Sequence, residues 1–514
     1  MERLTPGSVV AVVGAGAMGA GIAQVAAQNG HRVQLHDSRA GAADNAKAGI
    51  AKALGRMVEQ GRLDAAACRA AVDRIATAVA LEHARGAALV VEAIVEDLAA
   101  KRELFRSLDA LLPPEGILAS NTSSLSITAL AAGLAHPARV VGMHFFNPAP
   151  LMPLVEVVSG LATAPAVAAK VFATAAAWGK TPVHTGSTPG FIVNRCARPY
   201  YAEALRLLAE GTADPATLDA VLREAGGFRM GPCELMDLIG HDVNYAVTRS
   251  VWEGFFHDPR FTPSLLQQEL VAAGHLGRKS GRGFYDHAPQ AQRQPPATES
   301  PGPRPARVRV CGELGCARPL AERMAAAGIV VDDGGAASPL GPGSLHVEGA
   351  GGAVALAVTD GRTATARAAA ARIEDLVLFD LAHDYGTTPR LAVARSDGCS
   401  DAAGALATGA LQAAGIAVSR LDDVAGLAVM RTVAMLGNEA ADAVVQRVAD
   451  APTVDLAMTR GVNYPRGPLA WVDAIGVGVV RDVLQNLSLH YGEDRYRVSP
   501  LILRRALRGG KLHG

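Results

Sequence analysis

At 514 residues the chain is too long for one hydrophobic core, so three or four domains are expected. Hydrophobic residues make up 49% and charged residues 19%, the balance of a globular protein. Acidic and basic residues number 49 each, so there is no whole-chain field to attract a polyanion, and nucleic acid is not favoured as a partner.

The opening MERLTPGSVVAVVGAG has no basic leader, and no uncharged apolar run of about 18 residues occurs. A cytosolic protein with no membrane partner is expected. The six cysteines are scattered, and the closest pair, Cys311 and Cys316, lacks a second pair or a histidine cluster. They read as reduced structural thiols, with no metal site.

In residues 1–185, short apolar strands (VVAVVG, RVQLHD, ALVVEAIV, GILASN, RVVGMHFF) alternate with Ala-rich helical stretches. That is the pattern of an α/β domain with a parallel sheet and crossover helices, Rossmann-like in outline. The first strand runs into Gly14-x-Gly16-x-x-Gly19, with Ala17 and Met18 opening a helix and a second strand ending at Asp37. Gly14 permits the tight turn, Gly16 lets the backbone approach a pyrophosphate, and Gly19 lets helix and strand pack closely. Free N–H groups at the helix start then meet the phosphates. Asp37, 23 positions after Gly14, is placed to bind both ribose hydroxyls and would repel a 2′-phosphate, which favours NAD over NADP. Arg39 lies close enough to keep NADP open.

Residues 186–286 change to helical spacing, as in VNRCARPYYAEALRLLAEG, with glycine near the stops. The Pro-rich, polar, aperiodic segment 287–305 reads as a linker. Residues 306–423 give a shorter α/β pattern with ARVRVCG, GIVVDD, AVALAVTD, DLVLFD and PRLAVA as strands. Here Leu314 stands at the place of Gly16 and Ala317 at that of Gly19, so no dinucleotide is expected in this half.

Residues 424–514 are helical again and repeat 186–286. Gly190, Arg195, Glu203, Asp214, Asp219, Asp237 and Gly240 reappear as Gly426, Arg431, Glu439, Asp450, Asp455, Asp473 and Gly476, each 236 positions later. A register held that long without a gap reads as internal duplication. The second copy differs where the first is polar: carried upstream, the offset sets Asp380 opposite His144, Ala392 opposite Glu156 and Met430 opposite Asn194.

The motifs GAGAMGAGIAQVAA, VVEAIVEDLAAKRELF, LASNTSSLSIT, GMHFFNPAPLMPLVEVV, TPGFIVNR and GRKSGRGFYD, in that order over about 1–286, closely resemble the L-3-hydroxyacyl-CoA dehydrogenases. The linker and altered second half are similar in architecture to bacterial members that handle 3-hydroxyadipyl-CoA in phenylacetate degradation. The resemblance implies an NAD-binding domain followed by an all-α C-terminal domain, and oxidation of a 3-hydroxyacyl-CoA to the 3-oxo thioester. It makes His144 the base, Glu156 its orienting acid, Ser123 the hydrogen-bond partner of the reacting oxygen, and Asn194 the amide that helps to hold His144 and the substrate carbonyl.

By the same resemblance Glu96 and Lys101 line the nicotinamide-ribose side, and Asn121 is a further cofactor contact. Lys52 and Arg56 fall where relatives set basic residues against the CoA phosphates; four apart, they share a helix face, which is equally the spacing of an ordinary solvated face. Relatives dimerise through their helical domains, so 424–514 is expected to pack on 186–286 as an internal partner, with a further homodimer left open. Three alternatives stand beside 3-hydroxyadipyl-CoA: a 3-hydroxybutyryl-CoA dehydrogenase, a sugar-acid dehydrogenase of the same fold, and a non-catalytic NAD-binding protein.

Overall fold

A computed structural model of the chain describes residues 2–334, 337–350 and 352–513. They form two compact units, Met1–Arg195 with Gln446–Val462, and Cys196–Val445 with Asn463–Gly514.

The first unit holds an eight-stranded sheet made of β1 (Val9–Val13), β2 (Arg32–His36), β3 (Ile75–Ala78), β4 (Leu89–Glu92), β5 (Ile117–Ser120), β6 (Val140–Phe145), β7 (Leu154–Ser159) and β8 (Thr181–Gly186). Its spatial order is β3-β2-β1-β4-β5-β6-β7-β8. Alternate residues of β1 enter two separate cores: Val10 and Val12 pack with Ile22 and Val25, whereas Ala11 and Val13 pack with Phe105 and Leu108. Burial on both faces explains why VVAVV is continuously apolar instead of alternating. Helices Ala17–Gln28 and Leu98–Leu111 supply those cores from opposite faces of the sheet.

The order reverses at β1, which lies between β2 and β4, so the crevice at the strand ends is a topological switch point. Three strands go beyond the expected five: β3, β7 and β8. All neighbours run parallel except β6 and β7, which are antiparallel and set His144 directly across from Glu156. The unit also continues past the expected boundary at 185, because the turn at 190–194 is tied to Glu156 through the backbone N–H groups of Ile192 and Val193. The helix Ala451–Gly461 packs on β7 and β8, and Gly186 N–H donates to the Val448 carbonyl at 3.2 Å. It thereby covers the edge of the sheet at β8, an edge that would otherwise offer unpaired backbone groups.

The second unit holds a mixed sheet in place of the shorter parallel one expected, with β9 (Arg307–Gly312), β10 (Val330–Asp333), β11 (Gly343–Gly349), β12 (Gly352–Val358), β13 (Leu376–Phe379), β14 (Arg390–Arg395) and β15 (Ala417–Arg420). The order is β10-β9-β11-β12-β13-β14-β15, and β11 runs antiparallel to both its neighbours. Strand β11 lies beside β9, so the chain leaving β9 meets it at close quarters: Glu313 N–H donates to the Pro342 carbonyl, and Leu314 is buried. The β13–β14 pair sets Phe379 opposite Val393, and β6–β7 sets Met143 opposite Val157. Both residues of the pair are shifted by the same 236 positions.

Helix boundaries follow that offset too. Pro215–Glu224 and Ala451–Gly461 begin 236 apart, as do Pro232–Ile239 and Pro468–Ile475. Asp214 and Asp450 cap the two helices of the first pair, accepting from the N–H groups of Thr217 and Thr453.

Within the second unit the helix Arg198–Ala209 packs against Val429–Val445. Arg431 is fully buried there, donating to Glu203 at 2.8 Å and to Glu210 at 3.1 Å, with the Tyr491 and Tyr496 hydroxyls at 2.8 and 2.9 Å. Arg260 pairs with Glu439 at 3.0 Å and with Asp442, and Arg497 with Asp258 at 2.6 Å. The segment 287–305 contains no helix or strand, yet it is tied down along its length. Ala297 N–H donates to Thr217 Oγ1, Glu299 N–H to the Val418 carbonyl and Gly302 N–H to Gln412 Oε1. It is a strap more than a free tether.

Candidate active site

The β6–β7 pair faces a histidine with a carboxylate. His144 Nδ1 lies 2.7 Å from Glu156 Oε2, and both residues are buried, at 5% and 0% exposure. Glu156 spends its other oxygen on the N–H groups of Ile192 and Val193, at 2.9 and 3.0 Å. A carboxylate accepting at all these points makes Nδ1 the protonated nitrogen and leaves the lone pair on Nε2. Phe146 and Phe191 flank the imidazole, with ring centroids 4.5 and 5.9 Å away. Phe191 takes a left-handed backbone conformation (φ 49°), a costly one for an aromatic residue, immediately before the two N–H groups that hold Glu156.

Asn194 closes the same turn, its Nδ2 lying 3.4 Å from the Ser123 carbonyl oxygen. The structure thus brings His144, Glu156, Ser123 and Asn194 into one connected site. Asn121 acts through the backbone, its Oδ1 accepting from Phe145 N–H at 2.9 Å, which fixes the strand just after His144.

Around Ser123 a buried network was not anticipated from the sequence. Glu92, at the end of β4 and fully buried, accepts from Lys101 Nζ at 2.6 Å, Ser120 Oγ at 2.6 Å and Ile94 N–H at 2.7 Å. Lys101 also reaches Glu96 Oε2 at 3.1 Å. Glu96 in turn accepts from Thr122 Oγ1 at 2.5 Å and Ser123 N–H at 3.0 Å. Burial alone would raise the Glu96 pKa, but the Lys101 ammonium and these hydrogen bonds outweigh it and hold the carboxyl below its ordinary value. Lys101 is therefore neither a solvated side chain nor directly exposed to a cofactor: at 1% exposure it is the post that fixes Glu96, and through it the Ser123 loop. The run of EAIVED with a lysine one turn into the next helix was the available signal, but nothing in spacing reveals that Glu92 points inward.

At the other end of the crevice, two glycines of the Gly14 turn are tightly packed and the third is open. A Cβ on Gly14, where φ is +104°, would collide with the Ala93 carbonyl, and one on Gly19 with the Gly14 carbonyl, whereas a Cβ on Gly16 would meet nothing within 4 Å. Gly14 and Gly19 are thus fixed by packing, and Gly16 opens outward. The helix that follows, beginning Ala17–Met18, has no side-chain cap, so its first N–H groups are available to phosphate oxygens. Asp37 accepts from Ala15 N–H at 2.8 Å, which braces the turn, and from the Arg39 side chain at 3.0 and 3.1 Å. The Arg39 guanidinium holds the Asp37 carboxyl well below the usual range. These residues fit an adenosine dinucleotide. Lys52 and Arg56 are both exposed on the helix Ala42–Glu59, and neither makes an ion pair among the described residues. No group of histidine, cysteine or acidic side chains among the described residues is arranged to hold a metal, and no described helix is long and apolar enough to cross a membrane.

A glycine turn at the switch point of a doubly wound sheet, with a histidine–carboxylate pair on neighbouring strands, defines a dinucleotide-dependent dehydrogenase. The chain belongs to the 3-hydroxyacyl-CoA dehydrogenase family: the NAD-binding domain model matches residues 9–188, and the C-terminal domain model matches twice, at 190–287 and 426–513. A third model, the 3-hydroxybutyryl-CoA dehydrogenase reduced Rossmann-fold domain, matches 356–424.

The chain is 44% identical over 499 residues to the 3-hydroxyadipyl-CoA dehydrogenase of Escherichia coli K12, covering 97% of each. It is also 44% identical over 278 residues to a probable 3-hydroxybutyryl-CoA dehydrogenase of Bacillus subtilis, matching 54% of this chain and 96% of that one. Among solved structures, a 3-hydroxybutyryl-CoA dehydrogenase from Escherichia coli K12 superposes with a TM-score of 0.88 at 42% identity, over 98% of this chain and 99% of that one.

Proposed function

We propose that this enzyme oxidises the hydroxyl of an L-3-hydroxyacyl-CoA to the 3-oxo thioester with NAD, and that its substrate is 3-hydroxyadipyl-CoA. The observation that carries the mechanism is the buried His144–Glu156 pair. With Nδ1–H held by Glu156, His144 accepts the hydroxyl proton at Nε2, and the imidazolium so formed is stabilised by the adjacent carboxylate. NAD, when bound, supplies the acceptor for the hydride leaving the same carbon. Ser123 and Asn194 orient the oxygens, Glu96 holds the Ser123 loop in place, and Phe146 and Phe191 keep water from the imidazole. The Gly14–Gly19 turn takes the pyrophosphate, Asp37 the adenosine ribose, and Glu96 and Asn121 the nicotinamide side. Lys52 and Arg56, exposed and on one face, are proposed for the CoA phosphates.

The adipyl assignment is supported by the full-length likeness to the Escherichia coli enzyme of that name, which shares the second half as well as the first. The butyryl reading stays beside it, since the matching solved structure carries that name. NADH formation at 340 nm with L-3-hydroxyadipyl-CoA, L-3-hydroxybutyryl-CoA and the free hydroxy acids decides between them. A higher kcat/KM on the adipyl thioester is expected; preference for butyryl would discard the adipyl assignment, and activity confined to free acids would discard the CoA assignment.

We further propose that the second half arose by internal duplication and now serves packing in place of chemistry. Asp380, at the position matching His144, does the work that Glu156 does in the first half: its carboxylate accepts from the N–H groups of Ala428, Val429 and Met430 at the start of a helix. The segments 424–445 and 463–514 then act as an intramolecular counterpart for the helices of 196–286, the two joined through Arg431 and Arg260.

A further inference from the structure

The turn that anchors Glu156 is built twice in the chain. Gly190 and Phe191 both take left-handed backbone, at φ 74° and 49°, and the residues 236 positions later, Gly426 and Leu427, repeat it at 79° and 52°. The hydrogen bonds repeat as well. Phe191 N–H donates to the Thr188 carbonyl and Arg195 N–H to that of Gly190, as Leu427 N–H does to Val424 and Arg431 N–H to Gly426. In each copy the next two N–H groups converge on one carboxylate oxygen. Those of Ile192 and Val193 meet Glu156 Oε1 at 2.9 and 3.0 Å, and those of Ala428 and Val429 meet Asp380 Oδ2 at 2.9 and 2.7 Å. Successive N–H groups turned to one side form an anion-binding concavity. The acids come from different places, Glu156 from β7 and Asp380 from the residue after β13, so the shared feature is the turn and not the acid.

Left-handed backbone is unfavourable for a residue with a Cβ, and glycine would hold the same turn without strain. Both copies nevertheless carry a large apolar side chain there, buried at 1% and 0% exposure. What differs is its shape. In the second copy Asp380 stands at the position of the histidine and the side chain is Leu427, whereas in the first the Phe191 ring meets the His144 imidazole edge-on, with centroids 5.9 Å apart and planes at 60°. The single hydrogen bond from Nδ1 to Glu156 fixes one atom of the imidazole and leaves its plane free to tilt. An edge-to-face aromatic contact has a preferred geometry that an aliphatic side chain does not supply. We propose that Phe191 is a positioning residue for His144: its backbone serves the anchor common to both copies, and its ring fixes the plane of the imidazole so that Nε2 keeps one direction. This rests on the reading of His144 as the base.

The test uses two variants of the full chain. Phe191→Leu gives this turn the side chain that the second copy accommodates at the same backbone angles, and Phe191→Met removes the ring with an unbranched side chain. Both should keep a melting midpoint and a KM for NAD near wild type, while kcat for the hydroxyacyl thioester falls about tenfold or more, as for a reacting group held out of line. In NMR spectra of protein with isotope-labelled histidine, the ring-nitrogen signals missing from His144→Ala identify the imidazole, and both variants should displace them. Undisplaced His144 signals, or wild-type kcat, in both variants would overturn the proposal. So would a loss of kcat matched by an equal loss of NAD affinity and a lowered melting midpoint, the pattern of a disturbed core. A wild type that turned over no hydroxyacyl thioester would strike the proposed function alone, because the His144 signals still report whether the ring fixes the imidazole.

Discussion

His144→Ala should lower kcat for the hydroxyacyl thioester by about 10²–10⁴, the range for loss of a positioned general base. The change removes Nε2, the atom proposed to accept the hydroxyl proton, and leaves the rest of the constellation standing. Glu156 keeps its bonds from the Ile192 and Val193 N–H groups, so the turn that carries Asn194 remains anchored. The cofactor turn is built from β1, the Gly14–Gly19 loop and Asp37, none of which touches His144, so KM for NAD should stay near wild type. Initial rates and NAD titration on one preparation check both halves of the expectation. A variant with unimpaired kcat would remove His144 from the mechanism, and one that also lost NAD affinity would point to a disturbed fold.

Arg431→Met should destabilise the protein by about 3–5 kcal/mol, the cost of removing one partner from a buried ion pair. Arg431 has no exposure, and the substitution leaves Glu203, itself 1% exposed, with the Tyr496 hydroxyl at 2.9 Å as its one remaining side-chain donor among the described residues. Glu210 is less affected, because it still accepts from Tyr491 and remains paired with Arg206. The double variant Arg431→Met with Glu203→Met should recover much of the loss, since an apolar pair of similar volume is often no less stable than a buried salt bridge. Thermal unfolding of the single and double variants makes the comparison. A single variant as stable as wild type would show that the segments 424–445 and 463–514 do not depend on this junction, and would weaken the reading of them as an intramolecular counterpart.

Much of the site was legible because its signals are local. The Gly14-x-Gly16-x-x-Gly19 turn and Asp37 follow from one strand, one helix and the next strand, and the structure assigns the three glycines different steric reasons. The order of the motifs around His144, Glu156, Ser123 and Asn194 pointed to the same chemistry. Their contacts were not legible, because they depend on β7 running antiparallel to β6, a reversal that LVEVVS does not encode in its own pattern.

Lys101 shows the limit most clearly. The family resemblance sets it on the nicotinamide-ribose side, and only the inward-pointing Glu92, nine residues earlier, makes it a buried cation. The mixed sheet of the second half escaped for a similar reason: β11 is a Gly-flanked strand whose antiparallel partner lies more than thirty residues upstream. The helix Ala451–Gly461 reads as part of the second helical domain by its 236-residue offset, yet it belongs to the first unit by contact. Periodicity identifies which face of a helix is buried, not against what.

The central claim is that one chain with two related halves carries a single working site, in the first. Titration of the purified full-length chain with NADH, followed by fluorescence or calorimetry, tests it most directly. One NADH bound per chain, abolished by a bulky substitution at Gly16 and unaffected by one at Leu314, is the result predicted. Two NADH per chain, or one that survives the change at Gly16 and is lost with the change at Leu314, would contradict it.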